Sequence, residues 1–318
     1  MNEHTAKQNF SGMGMSIFLF LVITTILQIA TSAVVTMICG ENGMPDWAFW
    51  LCNFIPMYCI GFPICYLLLK RIPREDLRET TSLSVGGWLK FFVIGVFVML
   101  VGNLIGLGVG QLFQLVGINT AMTVESLVSN TSVLSAIVMA VCAPIVEELL
   151  FRKLLIDRMH VYGGRVAVVT SALMFGLFHG NFSQFFYAFF LGLVWGYVYY
   201  KTGKVIYTIL MHMITNFCGG VIAPMLVRGV DLTGDPLALV TSPSFFGLLL
   251  YEAVMFAVAI IGLVLFIRGR KKISYAQEAQ ELPKEEQKTT VWCNIGMILF
   301  LVSCIGLFVL SLVSGLIA

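Results

Sequence analysis

Charge is what this sequence has least of. Only 11% of its 318 residues are Asp, Glu, Lys or Arg, whereas 58% are hydrophobic, and the mean hydropathy is +0.92. A soluble domain carries roughly 25% charged residues, so this chain lacks the polar surface to cover a globule of its size. A soluble dinucleotide-binding enzyme and a disulfide scaffold are excluded. With a net charge of +2 and no long basic run, so is a nucleic-acid partner. The eight cysteines include no C-x-x-C pair, which removes zinc knuckles and thioredoxin-like chemistry; they read as small buried hydrophobes. There is no H-E-x-x-H, so the common helical zinc-protease layout is absent. No Ser or Cys is paired with a histidine and a third orienting group.

What is present is a succession of apolar runs, each near the ~20 residues needed to cross a bilayer. The expected architecture is an all-α polytopic membrane protein of eight to nine transmembrane helices. The spans fall near 13–38, 47–69, 91–117, 133–151, 165–181, 184–200, 205–227, 245–267 and 292–317. The first reads as a retained anchor, because no small-residue cleavage site precedes it. Three regions follow: N-terminal helices over 1–129, a core of about four helices over 130–227, and C-terminal helices over 228–318. The last region includes a charged linker, 268–290, expected to be a solvated cytoplasmic spacer before a detachable final span. Lys and Arg crowd the segments 70–90, 152–165, 201–204 and 268–272 and are missing from 40–46 and 118–132, which places the N-terminus in the cytoplasm. Gly102, Gly106 and Gly110, and again Gly192 and Gly196, recur every four residues as helix-packing ridges.

Ionisable residues inside spans are costly and therefore functional candidates, and here they cluster between 144 and 216. Glu147 and Glu148 are adjacent. Glu148 and Arg152 lie four apart on one helix face and form a structural ion pair, while Glu147 points about 100° away, free for chemistry. His179 lies late in the fifth span; His212 and Asn216 share a face of the seventh. A carboxylate and a histidine can activate a water, and a second histidine with an amide can stabilise an oxyanion. Alternatively Glu147, His179 and His212 hold a zinc ion with one position open. Straight helices would not bring the three together. The fourth helix must continue past Arg152, or the fifth must start deeper or tilt, around a wet cavity.

E-E-x-x-x-R at 147–152, F-x-x-x-H at 175–179 and H-x-x-x-N at 212–216, in this order and on separate helices, resemble the CPBP (CAAX protease and bacteriocin-processing, or Abi) family of intramembrane proteases. The resemblance covers about residues 130–227. It implies an intramembrane catalytic bundle that hydrolyses a peptide bond with Glu/His-activated water. Glu147 would be the catalytic glutamate with Glu148 beside it, His179 its partner on the water, and His212 with Asn216 the oxyanion pair. The family is described both as metalloprotease and as glutamate-dependent, so zinc stays open. The implied partners are the lipid bilayer and a membrane-embedded or lipidated peptide or protein substrate. The short loops suggest a multi-pass protein of a bacterial plasma membrane. The competing expectation is a non-catalytic membrane scaffold or bacteriocin-immunity factor that acts by binding a partner.

Overall fold

The computed structural model describes residues 3–40, 44–75, 81–120, 132–230, 240–278 and 280–317. Helix is the regular structure of these residues, and no strand occurs among them. In chain order the helices are α1 (Glu3–Cys39), α2 (Asp46–Leu69), α3 (Val85–Gln114), α4 (Val133–Tyr162), α5 (Gly164–Phe178), α6 (Phe182–Thr202), α7 (Val205–Arg228), α8 (Pro243–Lys272), α9 (Lys284–Trp292) and α10 (Ile295–Ile317). Eight of them are long and apolar enough to cross a membrane. The expected boundary at 129–130, Arg78 and most of the loop 118–132, which lacks Lys and Arg, lie outside the described residues.

Two departures from the expected spans shape the site. The fourth helix does not stop at 151 but runs through Arg152 to Tyr162, so Glu147 stands at its middle rather than near one end. The fifth is short: fifteen residues span about 22 Å at 1.5 Å each, less than the ~30 Å hydrocarbon core. The two helices are joined at Gly163, whose φ of 123° is one that L-residues with a Cβ rarely adopt. Glu147 comes sixteen residues before that turn and His179 sixteen after it. Antiparallel helices leaving one turn reach equal depth after equal numbers of residues, which brings the two motifs level. Phe151 and Phe175, twelve residues to either side, confirm the register with ring centroids 5.2 Å apart.

The continuation also revises the basic segment 152–165. Its first two cations are helical: Arg152 belongs to the site, and Lys153 pairs with Asp157 at 2.8 Å. Arg158 is buried, donating to the carbonyls of Leu69 at 2.8 Å and Leu154 at 2.7 Å. The other basic segments still share one end of the bundle, where Thr81 donates to the Lys201 carbonyl, Lys204 to Ser82, and Lys201 to Ser274.

Three helices widen locally into π turns at Ile55–Gly61, Val138–Cys142 and Cys218–Ile222. Each ends two residues before a proline: Pro63, Pro144 and Pro224. A proline inside a helix lacks its N–H and crowds the carbonyl one turn back, and opening the preceding turn relieves both. A fourth π turn, Leu149–Leu154, has no proline; it carries Arg152. Such insertions concentrate at functional positions.

The glycine ridges are contacts between backbones. A Cβ on Gly102 would lie 2.4 Å from the Tyr187 Cα, and one on Gly192 would lie 3.0 Å from the Ala172 Cα, so α3 and α5 both press on α6. Gly106 continues the first seam against Phe182, whereas Gly110 faces the Thr120 side chain instead.

The last span is docked, contrary to its expected detachability: a Cβ on Gly296 would collide with the Ser11 carbonyl of α1. Nor is the 268–290 linker a solvated spacer. Ala276 N–H donates to the Tyr200 hydroxyl at 3.0 Å, Tyr275 packs on the rings of Tyr197 and Tyr200, and Leu282 is buried with its N–H on the Tyr162 carbonyl. Burial pushes the Tyr275 phenol up to about 12. An apolar residue every few positions (Tyr275, Leu282, Val291) is enough to clip this charged stretch along the bundle.

Candidate active site

The centre of the site is Glu148, fully buried. Arg152 Nε lies 3.0 Å from its Oε2 and an Arg152 NH2 group donates to Oε1 at 3.2 Å. From α7, His212 Nδ1 lies 3.1 Å from the same Oε1. A carboxylate with a guanidinium on one side can only accept, so Nδ1 carries a hydrogen and Nε2 faces the other way. There Nε2 stands 3.7 Å from Glu147 Oε2. The order Arg152–Glu148–His212–Glu147 thus runs across two helices, with formal charge already balanced at its buried end.

Arg152 is held from behind as well. Its second NH group donates to Ser171 Oγ at 3.3 Å, Ser171 donates to the Phe151 carbonyl, and the guanidinium lies 4.8 Å over the Phe175 ring. Phe175 is the shared wall of the site. It meets His179 edge-on at 4.9 Å and His212 at 5.8 Å, and Trp195 covers His212 from α6 at 4.5 Å.

His179 closes α5. Its Nδ1 lies 2.9 Å from the Phe175 carbonyl, and a carbonyl is an acceptor only, so Nδ1 bears a hydrogen and, in the neutral ring, Nε2 carries the lone pair. Glu147 keeps 15% of its side chain exposed while Glu148 keeps none. Of the two adjacent carboxylates, one is consumed by structure and the other is reachable.

The remaining sequence candidates divide. Asn216 donates to the Met139 carbonyl at 3.0 Å and so ties α7 to the π turn of α4. As zinc ligands, Glu147, His179 and His212 do not fit this arrangement: among the described residues no three His, Cys, Asp or Glu side chains converge on a point that could hold a metal ion. Both nitrogens of His212 are turned to carboxylates instead. Sequence reasoning missed Tyr58 of α2 and Tyr187 of α6, which come within electrostatic reach of Glu147. Neither carries a local signal beyond being a tyrosine in an apolar run. Ser171 carries no such signal either; it accepts from Arg152 and so braces it.

Residues 129–218 match the family model described as Type II CAAX prenyl endopeptidase Rce1-like. Over 159 residues the chain is 24% identical to the Bacillus subtilis (strain 168) protein named "Putative membrane peptidase YdiL", an alignment covering 48% of this chain and 64% of that protein. The chain therefore spans less than two thirds of the length of this curated relative. No solved structure matches. The matched segment holds Glu147, Glu148, Arg152, His179, His212 and Asn216, and its similarity is to the CAAX-type prenyl endopeptidases. It sits in a multi-pass, all-α membrane protein.

Proposed function

We propose that this protein is an intramembrane endopeptidase that hydrolyses a peptide bond in a membrane-associated or lipidated peptide, using water activated by Glu147. The observation that carries this reading is the inequality of the two adjacent glutamates. Glu148 is held by Arg152 and His212, and Glu147, level with His179 across the Gly163 turn, stays partly exposed with His212 Nε2 3.7 Å from its Oε2.

In this mechanism Glu147 takes a proton from water as the water oxygen bonds to the scissile carbonyl carbon. His179 Nε2 accepts the water's other hydrogen in a hydrogen bond and orients it. The proton then passes from Glu147 to the amide nitrogen as the C–N bond breaks, releasing an amine and a carboxylic acid and restoring the carboxylate. General-base assistance of this kind contributes typically 10²–10⁴-fold. Glu148 and Arg152 act through His212, fixing its tautomer and its position. The basic end of the bundle faces the cytoplasm, as the distribution of Lys and Arg favours.

The test uses proteoliposomes and two internally quenched peptides of one sequence ending in a CAAX motif, one farnesylated and one not, with product masses read by mass spectrometry. The expected result is one internal cleavage of the farnesylated peptide that is lost in Glu147→Ala and in His179→Ala while both variants still insert and fold. Cleavage that survives Glu147→Ala would overturn the reading.

A further inference from the structure

The turn between α5 and α6 carries a chain of side-chain amides that can run in one direction only. Asn181 caps α6, its Oδ1 accepting from the Gln184 backbone N–H at 2.9 Å. A backbone N–H has no choice but to donate, so the Asn181 oxygen and nitrogen are assigned by it. Asn181 Nδ2 accordingly donates to the His179 carbonyl at 2.8 Å and to Gln184 Oε1 at 2.8 Å. That fixes the Gln184 amide in turn, and its Nε2 donates to the Tyr187 hydroxyl oxygen at 3.0 Å. A phenol oxygen that already accepts has one hydrogen left to give. That hydrogen meets no protein acceptor among the described residues.

The position of Tyr187 is equally constrained. Its backbone is pressed against Gly102 of α3, where any larger residue would collide with it. Its ring oxygen comes within electrostatic reach of Glu147. Of the two groups expected from sequence to stabilise an oxyanion, Asn216 spends one of its two amide hydrogens on the Met139 carbonyl and His212 Nδ1 gives its hydrogen to Glu148. A further donor would strengthen a hydrolytic site there.

We propose that Tyr187 is a hydrogen-bond donor to the reacting centre, its hydroxyl hydrogen oriented by the Gln184–Asn181 relay that starts at the His179 carbonyl, and that it binds the oxygen that becomes negative as water adds to a peptide carbonyl. Tyr187 is then a catalytic residue, and Asn181 and Gln184 are positioning residues that set the sense of its hydroxyl. The relay also begins at the carbonyl of His179, so the general-base side and the oxyanion side of the site share one turn. This inference rests on the hydrolytic reading above.

The test takes wild type, Tyr187→Phe, Gln184→Glu and the double variant in proteoliposomes with the farnesylated quenched peptide. Gln184→Glu is nearly isosteric, but a carboxylate cannot donate to the phenol and instead draws its hydrogen away. Each single variant is expected to lower kcat by roughly 10²-fold with KM and melting temperature almost unchanged, and the double variant to be no worse than either. A kcat for Tyr187→Phe close to that of wild type overturns the proposal, as does a loss confined to KM or to stability. If wild type cleaves nothing, the hydrolytic reading has failed and the relay is decided without substrate, from the tyrosine doublet in the Raman difference spectrum of wild type minus Tyr187→Phe. A phenol oxygen that accepts a hydrogen bond supports the relay. A phenol acting only as a donor, bonded to Gln184 Oε1, overturns it.

Discussion

Replacing Arg152 by methionine removes the cation paired with Glu148, a carboxylate that has no access to solvent. Both side chains of the Glu148–Arg152 pair are 0% exposed. The substitution therefore loses the ion pair, the hydrogen bond to Ser171 and the cation over Phe175 together, and leaves Glu148 charged in an apolar bundle with only His212 and Thr208 beside it. Breaking a buried pair in this way costs about 3–5 kcal/mol. Removing both charges is different in kind. Glu148→Leu with Arg152→Met leaves no stranded charge, and such replacements are often close to neutral, so the double variant is expected within about 1–2 kcal/mol of wild type. The assay is reversible unfolding in mixed micelles with increasing denaturing detergent, followed by tryptophan fluorescence. The double variant should regain stability but not activity, because His212 loses the group that orients it. A single-variant loss below about 1 kcal/mol, or a double-variant loss equal to the sum of the two singles, would refute the claim that Glu148 is held as a structural anion.

Three further outcomes follow from the same geometry. Gly296→Leu should lower stability by about 1–3 kcal/mol or more, as overpacking does, because its Cβ meets the Ser11 backbone; unfolding in mixed micelles measures it, and a neutral result would mean α10 is not docked on α1. Leu282→Ala should cost roughly 2 kcal/mol for a buried leucine and expose the 273–282 strap to limited proteolysis at the basic end of the bundle, whereas an unchanged digestion pattern would contradict the docked strap. Stripping divalent metal with a chelator should leave peptide cleavage unchanged, since Glu147, His179 and His212 do not converge as ligands; loss of activity restored by added zinc would reassign them.

Much of the bundle was legible because the bilayer imposes a length on apolar helices, and the nine runs in the sequence correspond to nine of the ten helices. The failures have physical causes. The end of α4 was set too early because Arg152, Asp157 and Arg158 read as a polar loop, when each is buried with a partner that sequence spacing alone does not show at long range. The linker was read from its charge, while its placement is decided by a few apolar side chains and two tyrosines on α6. In the site, the Glu148–Arg152 pairing was readable from an i, i+4 spacing. The attachment of His212 to Glu148 was not, because it depends on how α7 packs against α4. The equal depth of Glu147 and His179 follows from the turn at Gly163, a residue that carries no chemistry of its own.

In the proposed mechanism Glu147, and not its neighbour, is the base. The most direct measurement is the single-turnover cleavage rate of the farnesylated peptide by Glu147→Gln, which keeps the shape of the side chain and removes its basicity, alongside the unfolding midpoint of the same preparation. The account predicts a rate lower by at least roughly 10²-fold with an unchanged midpoint. A Glu147→Gln enzyme that cleaves at the wild-type rate would contradict it.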